Sequence, residues 1–400
     1  MVPDEWRKVG LGDLEASGAL ELGRGQIISK DDLRRDPGPH PVYSSSGIGD
    51  GVFGRRGSYM FDEDLVTWSI DGGGRPFLRT GHKFSVTNVG GFLRVRSQEL
   101  HLPFLFYAMV SEWKRNGFDY QSKAHPSVLR LLYKFALPPL AEQRRIAAVL
   151  QAADAAIAAA EAVIDQTEKV KRGLVEQLLT RGMPGRHTRF KMTEIGEVPE
   201  SWEVTASNAI FSAAPKNGWS PAADGDGPHL QTFSIAAVRS GRVAIAPNLK
   251  VVAGDRRPEA EVRKGDILIV RGNANQQLVG SCGIVHEVPP PGCIFPDLLI
   301  RVSLVDRVMP EYFVALWNSS QVHSLLTARA KTTNGTLKVN QTDICTAVLA
   351  IPPTKEQADV VSVLRSLDAA DESARLALAA SIGTRNGVSA ELLSGRVRVA

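Results

Sequence analysis

The sequence predicts an α+β protein made of two similar units, each a mostly β globular head followed by one long helix. Three observations carry this reading. First, Pro138-Pro139-Leu140-Ala141-Glu142-Gln143 returns as Pro352-Pro353-Thr354-Lys355-Glu356-Gln357, an offset of 214 residues. The register continues without a gap: Val149 meets Val363, Leu150 meets Leu364, Asp154 meets Asp368, Gly173 meets Gly387 and Leu178 meets Leu392. Second, Val2-Pro3-Asp4-Glu5-Trp6 is echoed by Val198-Pro199-Glu200-Ser201-Trp202 at an offset of 196. Third, apolar or small residues after each Pro-Pro pair recur in alternating steps of four and three, a helical seam. The predicted order is a first head over residues 1–137, a long helix over 138–182, a linker over 183–197, a second head over 198–351 and a second long helix over 352–396.

In the first head, Tyr59-Met60-Phe61 and residues 65–70 and 84–87 read as strands between glycine turns. In the second, Ile267-Leu268-Ile269-Val270 reads as a strand, set between Gly265-Asp266 and Arg271-Gly272. Residues 102–113 and 310–326 each read as one amphipathic helix. The start of the linker is basic and without periodicity.

Each long helix begins after Pro-Pro, because proline bars helix upstream of itself. Thr354 and Gln357 fit a Thr-x-x-Gln capping box. One seam row of the first helix is Leu150, Ile157, Ile164, Lys171 and Leu178; the other is Ile146, Ala153, Ala160, Thr167 and Leu174. The second helix gives Leu364, Asp371, Leu378, Arg385 and Leu392, then Val360, Leu367, Ala374, Ser381 and Val388. About 40 residues at 1.5 Å each make a rod of roughly 60 Å, longer than a head is wide. Such helices do more than pack on their own heads. Gly383 and Gly387 each cost about 1 kcal/mol relative to alanine, so the second helix is expected to kink or fray beyond Ser381.

Composition excludes several classes. The hydrophobic share of 43% and charged share of 22% are those of an ordinary globular chain. Cys282, Cys293 and Cys345 are odd in number and lack CxxC spacing, which argues against a disulfide framework or zinc cluster and fits a reducing cytoplasm. The opening residues carry acids and a tryptophan where a signal peptide has a basic and then apolar run. The apolar stretch 146–164 contains Gln151, Asp154 and Glu161 and does not read as membrane-spanning. The net charge is +4, and residues 191–350 carry 15 basic and 15 acidic side chains. Nucleic-acid binding is therefore not announced by overall charge; any basic face must be local.

No catalytic motif stands out. Gly49-Asp50-Gly51-Val52-Phe53-Gly54 matches GxGxxG, but Arg55-Arg56-Gly57 follows where a helix would have to open, so it reads as a turn. No phosphate-binding GxxxxGK[ST] loop, HExxH zinc motif or methylase Asn/Asp-Pro-Pro-aromatic motif occurs. What remains is polar loops. Arginine, lysine, asparagine and glutamine both hold phosphates and read base edges bidentately. The candidates in the first head are Arg75, Lys83, Lys123 and His125, in loops that also include Ser44-Ser45-Ser46 and Gln121. Those in the second are Arg271, Asn273, Asn275 and Gln276, then Lys331, Asn334 and Lys338, with Lys216-Asn217 in a third loop. A run of amides and an arginine beside a buried strand has no obvious packing use.

With these residues assembled, the chain resembles the specificity subunit of type I restriction-modification systems over essentially its full length. The carriers are residues 138–147, from Pro138 through Glu142-Gln143-Arg144-Arg145-Ile146-Ala147, with Leu150 and Asp154 beyond, and the second Pro352-Pro353 with Glu356-Gln357. Residues 193–202, ending Val198-Pro199-Glu200-Ser201-Trp202, look like the start of that family's second half, and Pro41-Val42-Tyr43-Ser44-Ser45-Ser46-Gly47 looks like the early motif of its recognition domains. Thr354-Lys355 departs from the usual leucine of the second motif.

The resemblance implies that each head is a target recognition domain reading half of a bipartite DNA site. It implies that the helices pair as an antiparallel coiled coil that sets the spacing of the heads. Two methyltransferase subunits would dock on the chain, and restriction/translocase subunits would complete the enzyme. S-adenosylmethionine, ATP and Mg would belong to those partners, leaving this chain non-catalytic. In such a pseudo-twofold arrangement Lys171 is expected to face Asp371. Two other readings remain: a protein-binding coiled-coil adaptor without direct DNA recognition, and a fused enzyme.

Overall fold

The structure, a computed structural model, describes residues 3, 5–45, 50–119, 123–221, 228–333 and 336–399. It divides into two compact units, residues 1–163 with 375–400, and residues 164–374. The first long helix, Leu140–Arg181, gives its beginning to the first unit and its end to the second; Thr354–Ser394 does the reverse.

In the first unit, a four-stranded antiparallel sheet runs in the order Leu20–Arg24, Gly90–Val95, Leu65–Ser69, Pro76–Arg79. A three-stranded sheet of Val52–Arg56, His40–Tyr43 and Ser85–Val86 stands beside it. Of the expected strands, Tyr59-Met60-Phe61 contributes only a bridge from Phe61 to Phe84. The helix Leu102–Asn116 buries Phe104, Leu105 and Met109 against Trp68, Tyr133, Ile146 and Leu150. The long helix is thus part of the head's own core at its start. Leu392, near the end of the second long helix, belongs to the same core.

In the second unit, a six-stranded sheet runs in the order Phe211–Asn217, Leu299–Leu304, Ile267–Val270, Cys282–Ile284, Gly241–Val243, Val238–Arg239. Ile267–Val270 is buried throughout, as its four β-branched and leucine residues require of a strand covered on both faces. Residues 310–326 do not form one helix. They split into Pro310–Trp317 and Ser320–Arg329. The side chain of Asn318 is drawn off to the backbone N–H and C=O of Cys282, both at 2.8 Å. Ser319 turns to cap the second helix by accepting from Val322 N. The stretch 183–197 is not wholly irregular either, because Phe190–Thr193 pairs with Gly196–Pro199 as a hairpin.

The repeated motif explains itself at the head–helix junctions. Trp6 Nε1 donates to Glu142 at 3.0 Å, and Trp202 Nε1 donates to Glu356 at 3.1 Å. The following glutamine reaches back to its head. Gln143 Nε2 donates to the carbonyls of Pro138 and Glu99 and its Oε1 accepts from His101 N. Gln357 does the same with Pro352, Arg307 and Met309 N. Strand pairs Arg7–Gly10 with Lys134–Leu137, and Glu203–Ala206 with Val348–Ile351, close each junction from behind. The capping-box expectation fails for this reason. Thr354 is already helical, its hydroxyl donates to Arg307 O, and Gln357 serves the head, not the helix terminus.

Both buried glutamates also meet a basic side chain. Glu142 accepts from Arg398, and Glu356 from His187 Nε2 at 2.7 Å. Each comes from the segment just after a long helix, past a left-handed glycine, Gly395 and Gly182 respectively. At Gly182, φ +75°, a Cβ would lie 2.4 Å from Glu356 Oε1, so any side chain there would be strained and would displace the buried carboxylate.

The second long helix runs through Gly383 and Gly387 to Ser394 without the fraying expected beyond Ser381. Along the helices, Leu150, Leu178 and Leu392 are buried, whereas Ile157, Ile164, Lys171, Leu364, Asp371 and Leu378 are half-buried. In the second unit Lys171 donates to Asp368 at 2.7 Å, one turn before the expected Asp371. In the first unit Arg385 grips Asp154 through Nε and Nη2 at 2.6 and 3.0 Å, and Tyr107 Oη adds a third bond. Lys171 and Arg385 are repeat-related at 214 residues, and so are Asp154 and Asp368. The same tie is made in each unit.

Candidate nucleic-acid interface

In the second head, three polar segments far apart in sequence come together. Gly272–Asn273, Thr336–Lys338 and Lys331–Thr333 form one small antiparallel sheet, with Gly272 opposite Lys338 and Lys331 opposite Lys338. Val339 N donates to Arg271 O at 2.8 Å, fastening the arginine's backbone to the same sheet. Gln341 Nε2 donates to Asn217 Oδ1 at 3.2 Å, which brings in the Lys216-Asn217 segment. Asn334 lies outside the described residues.

The amides also shape their own loop. Asn273 Oδ1 accepts from Asn275 N, and Asn275 Oδ1 accepts from Gln277 N, opening the short turn Gln276–Leu278. Each asparagine commits its carbonyl to the turn and keeps an NH2 group for another partner. Asn275 and Gln276 are exposed, Arg271 and Asn273 half-buried. Neither Arg271 nor Lys338 is ion-paired with a described residue. The loop springs from the fully buried strand Ile267–Val270, so its root is rigid. An arginine, a lysine and turn-fixed amides on a rigid root can hold phosphates and read base edges.

The first head is less concentrated. Arg75 is exposed and makes no ion pair with a described residue, its guanidinium 5.2 Å from the Phe77 ring centroid. Lys123 is paired with Asp71 at 3.1 Å. Ala124 N bonds Ile70 O, so the segments carrying Lys123 and Arg75 adjoin. Lys83 lies elsewhere, with Tyr59 and Asp62, and the bonds to those two raise its pKa above the ordinary lysine value. His125 is an N-cap: its Nδ1 accepts from Ser127 N and starts the helix Pro126–Leu132. Ser46 and Gln121 lie outside the described residues. Sequence reasoning missed the junction residues Trp6, Trp202, Arg398 and His187. The echo of Trp6 in Trp202 was the available signal for two of them.

Other chemistry is sparse among the described residues. No group of three or more metal-ligating side chains gathers there. Burial raises the thiol pKa of Cys282, Cys293 and Cys345, at Cys293 to about 11. The first long helix is long and apolar enough to cross a membrane by length and composition. Asp154, in its first half, is nevertheless bonded to Tyr107 and Arg385.

The chain is built as two related halves, each a head locked by a Trp–Glu–Gln junction to a long helix. Residues 3–169 match the family model for the type I restriction modification DNA specificity domain. The chain is similar to type I restriction-modification specificity subunits. The specificity subunit of the type I restriction enzyme EcoKI from Escherichia coli K12 is 26% identical over 241 residues, 59% of this chain and 51% of that one. The chain thus spans about half the length of that relative. The MjaVIII specificity subunit of Methanocaldococcus jannaschii is 23% identical over 443 aligned residues, covering 100% of this chain and 94% of that one. The crystal structure of the S subunit from M. genitalium shares the fold, with a TM-score of 0.53 at 15% identity over 98% of this chain and 96% of that one. So does a chain from a study of complex assembly and conformational transition of the type I restriction-modification system, with a TM-score of 0.60 at 16% identity over 99% and 100%.

Proposed function

We propose that the chain is the DNA sequence-recognition subunit of a type I restriction-modification enzyme, each head reading one half of a bipartite site. The observation that carries this is the duplication itself: two heads, each fastened by the same buried junction to its own long helix. A rigid junction makes head position a function of helix position, which a measuring device needs. The convergence of the 216–217, 271–277 and 331–341 segments supports direct base reading by the second head.

The helices pair antiparallel and set the spacing. Supporting this, the Lys171–Asp368 and Asp154–Arg385 ties each join an early position on one helix to a late position on the other. Methyltransferase subunits dock on the same helices. Val149, Val163 and Val170 form a second apolar row on the first helix and are 39%, 65% and 61% exposed, an arrangement that favours a covering protein. In the second unit a cleft of 1290 Å³ sets Arg239 and Arg242 against Glu168, Asp371 and Glu372. Its mixed charge suits a protein segment better than a polyanion. S-adenosylmethionine, ATP and Mg act in the methyltransferase and restriction/translocase partners, and this chain works in the cytoplasm without chemistry of its own.

Methylation-site mapping in cells expressing the chain with its methyltransferase tests the reading. A two-part sequence with a fixed gap is expected. Methylation of one uninterrupted sequence, or none tied to this chain, would contradict it. Purified chain incubated alone with labelled methyl donor and DNA should transfer nothing; transfer would favour the fused-enzyme reading. The balanced charge of residues 191–350 leaves little counterion release to the free chain. Alone it should bind its site weakly at physiological salt, and in the complex tightly. Weak, salt-insensitive binding even in the complex would favour the adaptor.

A further inference from the structure

The strand Pro76–Arg79 ends on a buried cation. Arg79 is only 7% exposed and forms no ion pair with a described carboxylate. Its Nε donates to Thr67 Oγ1 at 3.1 Å and its Nη2 to the Asp50 carbonyl at 2.7 Å. The guanidinium lies 3.6 Å from the Tyr43 ring centroid and 4.6 Å from that of Phe77. Burial pulls its pKa down from the ordinary arginine value. The Tyr43 hydroxyl and, from beyond ion-pair distance, the Asp50 carboxylate push the other way. A cation taken out of water without an acid beside it is costly, and aromatic faces offset only part of that cost.

A second cation stands two residues on the other side of the same ring. Arg75 is exposed, makes no ion pair with a described residue, and lies 5.2 Å from Phe77. Phe77 and Arg79 alternate along the strand and share one face, and Arg75 lies just before its first residue, within reach of the same ring. Two guanidinium groups flank one phenyl ring without an ion-paired acid. The ground beneath them is held firmly. Ser69 Oγ donates to Ser45 O, Thr87 Oγ1 to Ser44 Oγ, and Ser44 N to Gly51 O. Thr67, Ser69, Arg79 and Thr87 are all buried polar side chains engaged in fixing this one corner of the head. Packing alone does not call for so many buried polar groups.

We propose that Arg75, Phe77 and Arg79 form an anion anchor in the first head that takes a backbone phosphate of the DNA duplex. Arg75 meets the phosphate directly. Arg79 is a positioning residue: it fixes Phe77, Tyr43 and Asp50 beneath the site and adds its charge. This rests on the reading of the chain as a DNA-recognition subunit. A phosphate fits better than a base edge, because stacked guanidinium groups with no amide beside them offer charge and not a base-specific pattern.

The test is DNA binding by the assembled complex with its methyltransferase subunits, over a salt series, on duplexes carrying the mapped site and a scrambled site. Arg75→Gln should weaken both duplexes several-fold and make the slope of log K against log salt shallower by about 0.9. Arg79→Gln should give a comparable loss of affinity and slope with a Tm at or above the wild-type value. Wild-type affinity and slope in Arg75→Gln would overturn the anchor, and that exposed position does not threaten folding. A large fall in Tm for Arg79→Gln with normal affinity in the folded fraction would leave it a purely structural residue. A changed base preference at equal affinity would make these residues base readers instead. Loss of methyltransferase assembly in Arg75→Gln would reassign the site to an acidic protein segment. A wild-type complex that binds no DNA would overturn the recognition reading itself, and the anchor with it.

Discussion

Glu356 is 4% exposed and accepts from Trp202 Nε1, His187 Nε2 and Met183 N. Removing it strands three donors in a buried place. Glu356→Ala should destabilise the chain by about 3 kcal/mol, and Glu356→Gln by much less, since one carbonyl oxygen remains. Denaturant melts of the two variants check this; equal, small effects would mean that the junction does not hold head to helix. At the proposed recognition surface, changing Arg271, Asn275 or Gln276 where it reads a base should cost about 1–3 kcal/mol in binding. The loss should relax specificity in one half-site only, as methylation-site mapping would show. Equal weakening of both half-sites would remove these residues from base reading. Arg271, Asn273 and Asn275 stood out as a run of amides and a base beside a buried strand, and the structure gives the two asparagines a turn-shaping use that this pattern did not show. His125 and Lys83 were not legible as a helix cap and an aromatic-bound ion pair. Those roles depend on Ser127 nearby and on Tyr59 and Asp62 at a distance, and no spacing rule exposes them.

At the scale of elements, the two long helices could be read from periodicity, and their ends, at Leu140 and Arg181 and at Thr354 and Ser394, lie close to the expected ones. Their cores could not be read so directly. The pairing expected of Lys171 was displaced by one turn, to Asp368, because a seam pattern fixes which face meets a partner but leaves the register to specific contacts. The repeat held the missing clue: a tie between Lys171 and Asp368 implies one between Arg385 and Asp154. A double-mutant cycle on Lys171 and Asp368 should give a coupling of about 0.5–1 kcal/mol, modest because Asp368 is 59% exposed. No coupling would show the pair to be incidental. The helix glycines argue similarly. A Cβ added at Gly383 or Gly387 would meet nothing within 4 Å, and the helix passes through both positions unbroken. Gly383→Ala and Gly387→Ala should each stabilise the chain by up to about 1 kcal/mol. Destabilisation would point to a partner packed closely on that face. The helix expected over 310–326 broke where Asn318 and Ser319 found better bonds off the helix than within it.

At the scale of the whole molecule, the proposed function makes the two heads recognition units joined to a ruler. A ruler makes one quantity, half-site spacing, depend on helix length, and leaves another, half-site sequence, independent of it. Inserting one heptad in each long helix, at repeat-related positions in the seam, lengthens the rods by about 10 Å at 1.5 Å per residue. Along a duplex that is roughly three base pairs, at about 3.4 Å per step. The decisive measurement is methylation-site mapping of this insertion variant beside the wild type. The same two half-site sequences are expected, with the gap between them wider by about three base pairs. Altered half-site sequences, or an unchanged gap in an active enzyme, would contradict the ruler.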